Sequence, residues 1–274
     1  MLTSRASPAL ADRLWLAIRR DAFATIEAEP ALETVLHEQV LRHASFESAL
    51  AHVLALRLDG AMLGPGKLRL LIEQATASEP DIVDAVAADI QATCERDPAC
   101  AGPLDPLLYY KGLHALSVHR VAHRLWRQGR KPLARWLQSQ VAQRLGVDIH
   151  PAARIGRGIL LDHAHGVVVG ETAVIEDRVS ILHNVTLGGT GKDTGDRHPK
   201  VRSGVLLGAG ALVLGNVEIG HGAKVGAGSV VMKDVPSHVT VAGSLATVVG
   251  RPACEQPSLE MNHQVEQAST ALEE

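Results

Sequence analysis

The stretch from Val201 to Val235 repeats with a period of six residues, and this period restricts the fold more than any other feature of the chain. Every sixth position is apolar, the position three residues later is usually Gly, Asn or Asp, and the position four residues later is small or β-branched. Because Gly, Asn and Asp tolerate a positive φ, their recurrence at one phase indicates one corner in each repeat. Short strands separated by regular corners are typical of a β-solenoid. The apolar column is Val201, Leu207, Val213, Ile219, Val225 and Val231; the corner column is Gly204, Gly210, Asn216, Gly222, Gly228 and Asp234; and the third column is Val205, Ala211, Val217, Ala223, Ser229 and Val235.

The repeat is interrupted twice on its N-terminal side. It begins near Ile149 in a different phase and slips by two residues around Asp162 and His163. The second break covers 188–200, which is polar and rich in glycine and cannot lie in a stacked wall, so we expect it to leave the solenoid as a loop. Irregularities in a strict repeat are where functional residues usually lie. We therefore look for the active site at these two breaks.

The first half of the chain has no six-residue period. Apolar residues three and four apart over about 10–145 predict several packed helices, the later ones over about 107–127 and 132–145. The sequence predicts an α+β protein with a helical domain over 1–146 and a β-solenoid domain over 147–252. We expect the repeat to end after Val235-Pro236, and the polar residues 253–274 to form a flexible tail.

Composition excludes several classes of partner. The net charge is −3 without a run of Lys or Arg, which gives no electrostatic basis for binding nucleic acid or a membrane surface. The three cysteines, Cys94, Cys100 and Cys254, form neither a CxxC pair nor an even framework, so we expect free thiols and a cytoplasmic protein.

His163 is the candidate general base because it lies in the first break. Three six-residue faces make a coil of about 18 residues, and coils stack at roughly 4.8 Å, which predicts that Asp148 and His163 are neighbours across one corner. A carboxylate beside an imidazole fixes its tautomer, and an unperturbed pKa of about 6.5 allows an imidazole to accept a proton from a hydroxyl. A lone histidine on a coil face is also compatible with an ordinary surface role.

The second break offers residues that suit an anionic or ester-like ligand. Its glycines would let a thioester approach the backbone, and Arg197 and His198 would hold a carboxylate, although a solvated loop tip is an equal alternative. Asp162 would hold an ammonium group or face water. His119 and His123 are four residues apart on a predicted helix, but no third ligand accompanies them, so we expect packing roles and no metal.

Six segments together resemble bacterial serine acetyltransferases, which are hexapeptide-repeat acyltransferases with a left-handed parallel β-helix. The hexapeptide repeat alone resembles only the wider class, whereas the Asp-Arg-His-Pro-Lys loop and the helical first half narrow the resemblance. The segments are DIHPAA at 148–153, IGRG at 155–158, DHA at 162–164, VGETA at 169–173, TLGGTGK at 186–192 and GDRHPK at 195–200.

The resemblance implies transfer of an acetyl group from acetyl-CoA to the hydroxyl of L-serine, giving O-acetyl-L-serine for cysteine biosynthesis. Carried over by position, His163 is the base paired with Asp148, and four residues hold serine: Asp97, Asp162, Arg197 and His198. Four further residues would contact CoA: Gly189, Ala209, Ala227 and Lys233. L-cysteine is the expected inhibitor.

The resemblance also implies an assembly. We expect a homotrimer with CoA between neighbouring solenoids, or a hexamer in which helical domains pair two trimers. Family members commonly end in Ile, which enters O-acetylserine sulfhydrylase, whereas this chain ends in Leu272-Glu273-Glu274. We therefore do not expect that complex here.

Three rival interpretations remain open. The first is an acetyltransferase for another acceptor, such as homoserine or a sugar. The second is a metalloenzyme similar to γ-type carbonic anhydrases, with His163, His183 and His198 as zinc ligands. The third is an inactive scaffold, against which the intact Asp148 and His163 argue.

Overall fold

A computed structural model describes residues 10–58, 63–191 and 194–261. The chain is helical up to Leu145, with a short 3₁₀ turn at Pro30–Leu32 and a π-helical turn at His37–Leu41. The eight helices of this region are α1 (Leu10–Ala28), α2 (Glu33–Leu36), α3 (Phe46–Arg57), α4 (Pro65–Ser78), α5 (Asp81–Arg96), α6 (Leu104–Tyr109), α7 (Lys111–Arg127) and α8 (Lys131–Leu145). No helix in the described ranges is long and apolar enough to cross a membrane.

A parallel β-solenoid follows directly. Its strands are β1 (Val147–Ile149), β2 (Arg154–Ile155), β3 (Leu160–Leu161), β4 (Val167–Val169), β5 (Val174–Ile175), β6 (Ser180–Ile181), β7 (Thr186–Gly188), β8 (Lys200–Val201), β9 (Leu206–Leu207), β10 (Leu212–Leu214), β11 (Glu218–Ile219), β12 (Lys224–Val225), β13 (Val230–Val231), β14 (Thr240–Ala242) and β15 (Thr247–Gly250). They form a first sheet in the order β1-β4-β7-β10-β13, a second sheet in the order β2-β5-β8-β11, and a third sheet in the order β3-β6-β9-β12-β14-β15, in which β15 returns antiparallel to β14. The predicted combination of helices and a parallel solenoid is confirmed.

The six-residue ladder forms the interior of the solenoid. All residues of the apolar column and of the third column are at least nine-tenths buried, because both columns point inward from strands and corners. The predicted corners at Gly204, Gly210, Gly222 and Gly228 adopt a positive φ. The chain also turns near Asn216 and Asp234, but neither residue has a positive φ, and at the first of these corners Gly215 has it instead.

The three sheets differ in what covers their outer faces. Outward residues of the third sheet, including Leu160, Ser180 and Leu206, are buried, and α5 and α7 lie against β3. Gly112 makes this approach possible, because a Cβ atom there would overlap the Leu161 carbonyl oxygen. The helical region therefore rests on the third sheet beside Asp162.

A buried ion pair joins the helices to the solenoid. Arg120 Nη2 on α7 donates to Asp89 Oδ2 on α5 at 2.5 Å and to the Gly156 carbonyl oxygen at 2.8 Å. The other oxygen of Asp89 accepts from the Ile159 N–H at 2.8 Å. Asp89 is fully buried and Arg120 is 9% exposed, so these bonds replace water at the interface.

Three boundaries differ from the sequence prediction. The helix expected over about 107–127 is interrupted at Tyr110, where φ is −90° and ψ is 103°, so it is two helices, α6 and α7. The repeat continues past Pro236, because β14 pairs with β12 in the third sheet. Residues 253–261 of the expected tail lie against the body: the Ser258 hydroxyl donates to the Arg178 carbonyl oxygen at 2.5 Å. Residues 262–274 lie outside the described ranges.

Buried histidines make the helical region sensitive to acid. Burial lowers the pKa of His114 to about 4, and its Nε2 bonds to the Leu107 carbonyl oxygen at 2.7 Å. The unfolded chain, with a histidine pKa of about 6.5, binds this proton first, so stability is present above that value and is lost as pH falls toward 4. We expect a loss of about 2 kcal/mol from His114 alone between pH 7 and pH 5, measured as the midpoint of urea unfolding. Equal midpoints at both pH values would contradict this account.

Candidate active site

A cavity of about 1110 Å³ lies where the helical region meets the solenoid. Its walls come from the end of α5 with the following loop, the start of α7, strand β3 with the corner after it, and the C-terminal residues Glu260 and Met261. Three of the predicted site residues line it: Asp97, Asp162 and His163. Residues distant in sequence therefore form one cleft in which the carboxylates of Asp97 and Asp162 and the imidazole of His163 come together.

His163 is held by a corner with an uncommon backbone. His163 and Ala164 have φ values of 52° and 60°, a conformation that residues other than glycine seldom adopt. The His163 Nε2 atom lies 3.9 Å from Asp162 Oδ1, and its side chain is 76% exposed. Its ring lies edge to face with that of His183 one coil away, with centroids 5.9 Å apart. An accessible imidazole beside a carboxylate suits proton transfer to a ligand in the cavity.

Asp148 lies on β1 of the first sheet and pairs with Val168 of β4, the strand that follows the His163 corner. Its Oδ1 accepts a hydrogen bond from Gln138 Nε2 of α8 at 2.7 Å. Within the described part of the chain no hydrogen bond or ion pair joins Asp148 to His163. The pairing of these two residues stays a prediction.

Asp97 is positioned by the turn that ends α5. Its Oδ1 accepts from the Ala99 N–H at 2.9 Å, and its carbonyl oxygen accepts from the Cys100 N–H at 3.0 Å. Burial and the neighbouring Asp97 carboxylate together raise the pKa of Tyr110, which lines the same cavity. The turn thus holds the Asp97 carboxylate at the cavity wall beside Tyr110.

Arg197 lies at a different corner from His163, at the end of the 188–200 loop. Its Nη2 donates to Glu171 Oε2 at 2.7 Å, and this bond lowers the pKa of Glu171. The Thr172 hydroxyl oxygen accepts from the backbone N–H groups of Arg197 and His198, at 3.0 and 3.1 Å. Sequence reasoning missed Glu171 and Thr172, although both belong to the VGETA segment.

The same corner fixes the tautomer of His198. Its Nδ1 accepts from the Thr172 N–H at 3.2 Å, so in the neutral ring Nε2 carries the proton. Burial, followed by the nearby Arg197, lowers the pKa of His198. A neutral Nε2–H donor is therefore the form present near pH 7, and the ring lies against Gly170, where a Cβ atom would overlap it.

The residues predicted to contact CoA lie at two corners of the solenoid. Ala209 and Ala227 occupy the corner positions that follow His163 and His183 in successive coils, and the Gly228 N–H bonds to the Ala209 carbonyl oxygen at 2.8 Å. Methyl groups there leave room along the corner for a long ligand arm. Gly189 and Lys233 both follow strands of the first sheet, β7 and β13, so they lie at the Arg197 corner in different coils, and Lys233 is exposed.

The predicted zinc ligands do not converge within this chain. His163 and His183 are ring neighbours, whereas His198 bonds to Thr172 at the other corner. Throughout the described ranges no three His, Cys, Asp or Glu side chains are grouped so as to hold a metal ion. His119 is buried and His123 Nδ1 bonds to the Pro151 carbonyl oxygen at 2.8 Å.

Family profiles match both halves of the chain. The profile described as "Serine acetyltransferase, N-terminal" matches residues 14–118, and that of "Bacterial transferase hexapeptide (six repeats)" matches residues 198–233. The serine acetyltransferase of Salmonella typhimurium is 52% identical over 249 residues, which cover 91% of each chain.

Solved structures of similar proteins contain three ligands. A serine acetyltransferase in complex with cysteine is 49% identical with a TM-score of 0.90, covering 93% of this chain and 99% of that one. The Brucella abortus serine acetyltransferase in complex with coenzyme A is 49% identical with a TM-score of 0.87, covering 88% and 97%. The soybean serine acetyltransferase complexed with serine is 53% identical with a TM-score of 0.86, covering 89% and 100%.

Proposed function

The chain belongs to the serine acetyltransferase family, and on that premise we propose how its residues divide the work of acetyl transfer. It transfers the acetyl group of acetyl-CoA to the hydroxyl of L-serine, which yields O-acetyl-L-serine and CoA for cysteine biosynthesis. One observation carries the assignment of residues: a single cavity holds His163 together with the carboxylates of Asp97 and Asp162.

His163 is the general base. It takes the proton of the serine hydroxyl while that oxygen bonds to the thioester carbon, and the imidazolium then gives a proton to the departing CoA sulfur. In the assembled site, the Asp148 carboxylate stabilises the protonated ring of His163. The exposed ring of His163 and its neighbouring Asp162 support this role.

Asp97 and Asp162 bind the serine ammonium group, because two carboxylates face the cavity without a Lys or Arg paired to them in the described part of the chain. Arg197 and His198 bind the serine carboxylate. Arg197 supplies charge, and the neutral Nε2–H of His198 supplies a hydrogen bond. Glu171 orients the Arg197 guanidinium before serine binds.

These two groups lie at different corners of one chain, so we propose that neighbouring copies complete each site. The outer face of the first sheet carries the apolar residues Val168 and Leu212, which are 39% and 37% exposed on the single chain. The second sheet presents Arg154, Lys200 and Glu218, and the third is covered by helices. An apolar face between the two corners is the surface that a homotrimer would bury. A hexamer made by the helical regions is the further assembly that the family resemblance favours.

Mixed oligomers test the shared site. Chains with His163→Ala and chains with Arg197→Ala are each expected to be nearly inactive. Co-expressed in equal amounts, they should recover about one quarter of the parent's turnover, because random mixing in a trimer places an intact His163 beside an intact Arg197 at about one interface in four. The measurement is CoA release per chain in the whole mixture, purified through one tag that every chain carries, so that homotrimers stay in the pool.

The matched control mixes the parent with the double variant His163→Ala, Arg197→Ala. Shared sites should leave about one quarter of the parent's turnover, whereas sites contained within one chain would leave about one half. No recovery in the first mixture together with one half in the second would refute the shared site.

CoA lies along the corner above His163, where Ala209 and Ala227 leave space for the pantetheine arm. Gly189 of the neighbouring copy contacts the same CoA molecule, and Lys233 contacts it from the last coils of the solenoid. Cysteine differs from serine by sulfur in place of oxygen, so it occupies the serine position and inhibits. Inhibition that serine does not relieve would contradict this assignment.

The expectation about a complex with O-acetylserine sulfhydrylase stays a prediction, because Leu272, Glu273 and Glu274 lie outside the described residues. A reducing cytoplasm is the compartment that we propose, since all three cysteines are free thiols.

A further inference from the structure

Two cysteine thiols face each other on the wall of the cavity. The Sγ atoms of Cys94 and Cys100 are 3.3 Å apart, and Cys100 Sγ also lies 3.3 Å from the Gly102 carbonyl oxygen. A disulfide requires a separation of about 2.05 Å. The two sulfurs therefore need to approach by only about 1.2 Å to bond. Both residues are half-buried and line the cavity, so a small oxidant in the cavity can reach them.

The pair spans the turn that carries Asp97. Cys94 lies in the last turn of α5, Asp97 follows that helix, and Cys100 closes the turn through its N–H bond to the Asp97 carbonyl oxygen. A bond between the two sulfurs would close a short loop that contains Asp97. Asp97 is the residue of the turn that faces the same cavity as His163.

We propose that Cys94 and Cys100 form an oxidative modification site, in which a hydroperoxide converts the two thiols to a disulfide and thereby displaces Asp97. The loss of activity that follows rests on the proposed function, since it assumes that Asp97 binds serine. Formation of the disulfide does not depend on that assumption.

The chemistry is balanced with a hydroperoxide as oxidant. One thiolate attacks the outer peroxide oxygen, the O–O bond breaks, and the alcohol or water leaves with a proton while a sulfenic acid forms. The second thiol attacks that sulfur, the S–S bond forms, the S–O bond breaks, and water leaves with the thiol proton. Two thiols are oxidised by two electrons and one peroxide is reduced.

The environment of the pair sets the conditions under which it reacts. Burial raises the pKa of both the Cys94 and the Cys100 thiols. Because the thiolate is the nucleophile, oxidation should be slow near pH 7 and should accelerate about tenfold per pH unit below the thiol pKa. The reduced enzyme is therefore the resting form, and oxidation requires a sustained supply of peroxide.

Mass spectrometry under non-reducing conditions tests the modification directly. Trypsin cuts after Arg96 and separates the two cysteines into peptides 70–96 and 97–111. Treatment of the full chain with hydrogen peroxide at pH 8.5 should join these peptides and remove the mass of two hydrogen atoms, and dithiothreitol should separate them. Cys254→Ser should behave like the parent, whereas Cys94→Ser and Cys100→Ser should give no joined peptide.

Activity of the same samples tests the consequence. We expect kcat/KM for serine to fall by roughly tenfold to a hundredfold on oxidation, as for a misplacement of about 1 Å in a substrate-binding group, and to return with dithiothreitol. Within Cys94→Ser and Cys100→Ser, peroxide should leave the ratio of treated to untreated activity near one. Failure of the joined peptide to form, with only sulfinic acids or mixed disulfides, overturns the proposal. If the disulfide forms but kcat/KM stays unchanged, the proposed displacement of Asp97 is wrong. If the reduced parent does not turn over serine, the proposed function is wrong, and the oxidation site is unaffected.

Discussion

Replacing His163 with alanine should lower kcat for the acetylation of serine by roughly 10²- to 10⁴-fold, the range that general-base assistance supplies. The serine hydroxyl would lose its proton acceptor, whereas the cavity and its carboxylates would remain. The fold should survive, because the His163 side chain is 76% exposed and is not part of the buried core. The measurement is the initial rate of CoA release at saturating acetyl-CoA and serine.

His165→Ala is the matched control. This exposed histidine belongs to the same corner, two residues further on, but does not line the cavity. We expect near-parental kcat from it and an unchanged circular dichroism spectrum from both variants. If both variants lost activity equally, the corner would matter only for structure, and His163 would not be the base.

Replacing Arg120 with alanine should destabilise the fold by about 3–5 kcal/mol, because it leaves the Asp89 carboxylate buried without its cation. Asp89 is already costly to ionise, since burial raises its pKa despite the guanidinium 2.5 Å away. The substitution also removes the hydrogen bond from Arg120 to the Gly156 carbonyl oxygen. A lowering of Tm by roughly 6 to 20 °C in calorimetry is the expected result.

Arg124→Ala serves as the control for this prediction. Arg124 lies one turn further along α7 and pairs with Glu79, whose side chain is 29% exposed, so its loss should cost about 1 kcal/mol or less. A double variant, Asp89→Leu with Arg120→Met, should recover much of the stability because no buried charge remains. Equal Tm values for Arg120→Ala and Arg124→Ala would show that the buried pair does not hold the helices to the solenoid.

The solenoid was predictable because its physics is local and repeated. An inward-facing position recurs every six residues, and glycine recurs where the backbone must turn, so the buried columns follow from the sequence alone. Asn216 shows the limit of the pattern: the positive φ moved to its neighbour Gly215, which reaches 96° without a steric cost. The six-residue repeat therefore predicts the position of a turn only to within one residue.

The helical region was harder to predict because tertiary contacts determine its boundaries. Nothing in the apolar spacing around Tyr110 indicates a break, yet the backbone there is extended and redirects α7 onto β3. The pairing of Asp89 with Arg120 was equally hidden, since the two residues lie on different helices and each alone resembles a surface charge. Long-range partners of this kind leave no periodic signal.

The candidate site was predictable as a set of residues and not as an arrangement. Breaks in the repeat identified His163 and Arg197, but the geometry of stacked coils did not reveal that they occupy different corners of one chain. Asp97 came only from the resemblance, because a single Asp after a helix has no distinctive pattern.

The central claim is that this chain acetylates serine through His163, and acceptor specificity tests it most directly. Turnover with acetyl-CoA should be measured for L-serine, L-homoserine and a sugar acceptor, each with the parent and with His163→Ala, and with a chelator present and absent. The account predicts the highest kcat/KM for serine, its collapse in His163→Ala, and no effect of the chelator. No detectable turnover of serine by the parent, or a higher kcat/KM for another acceptor, would contradict it.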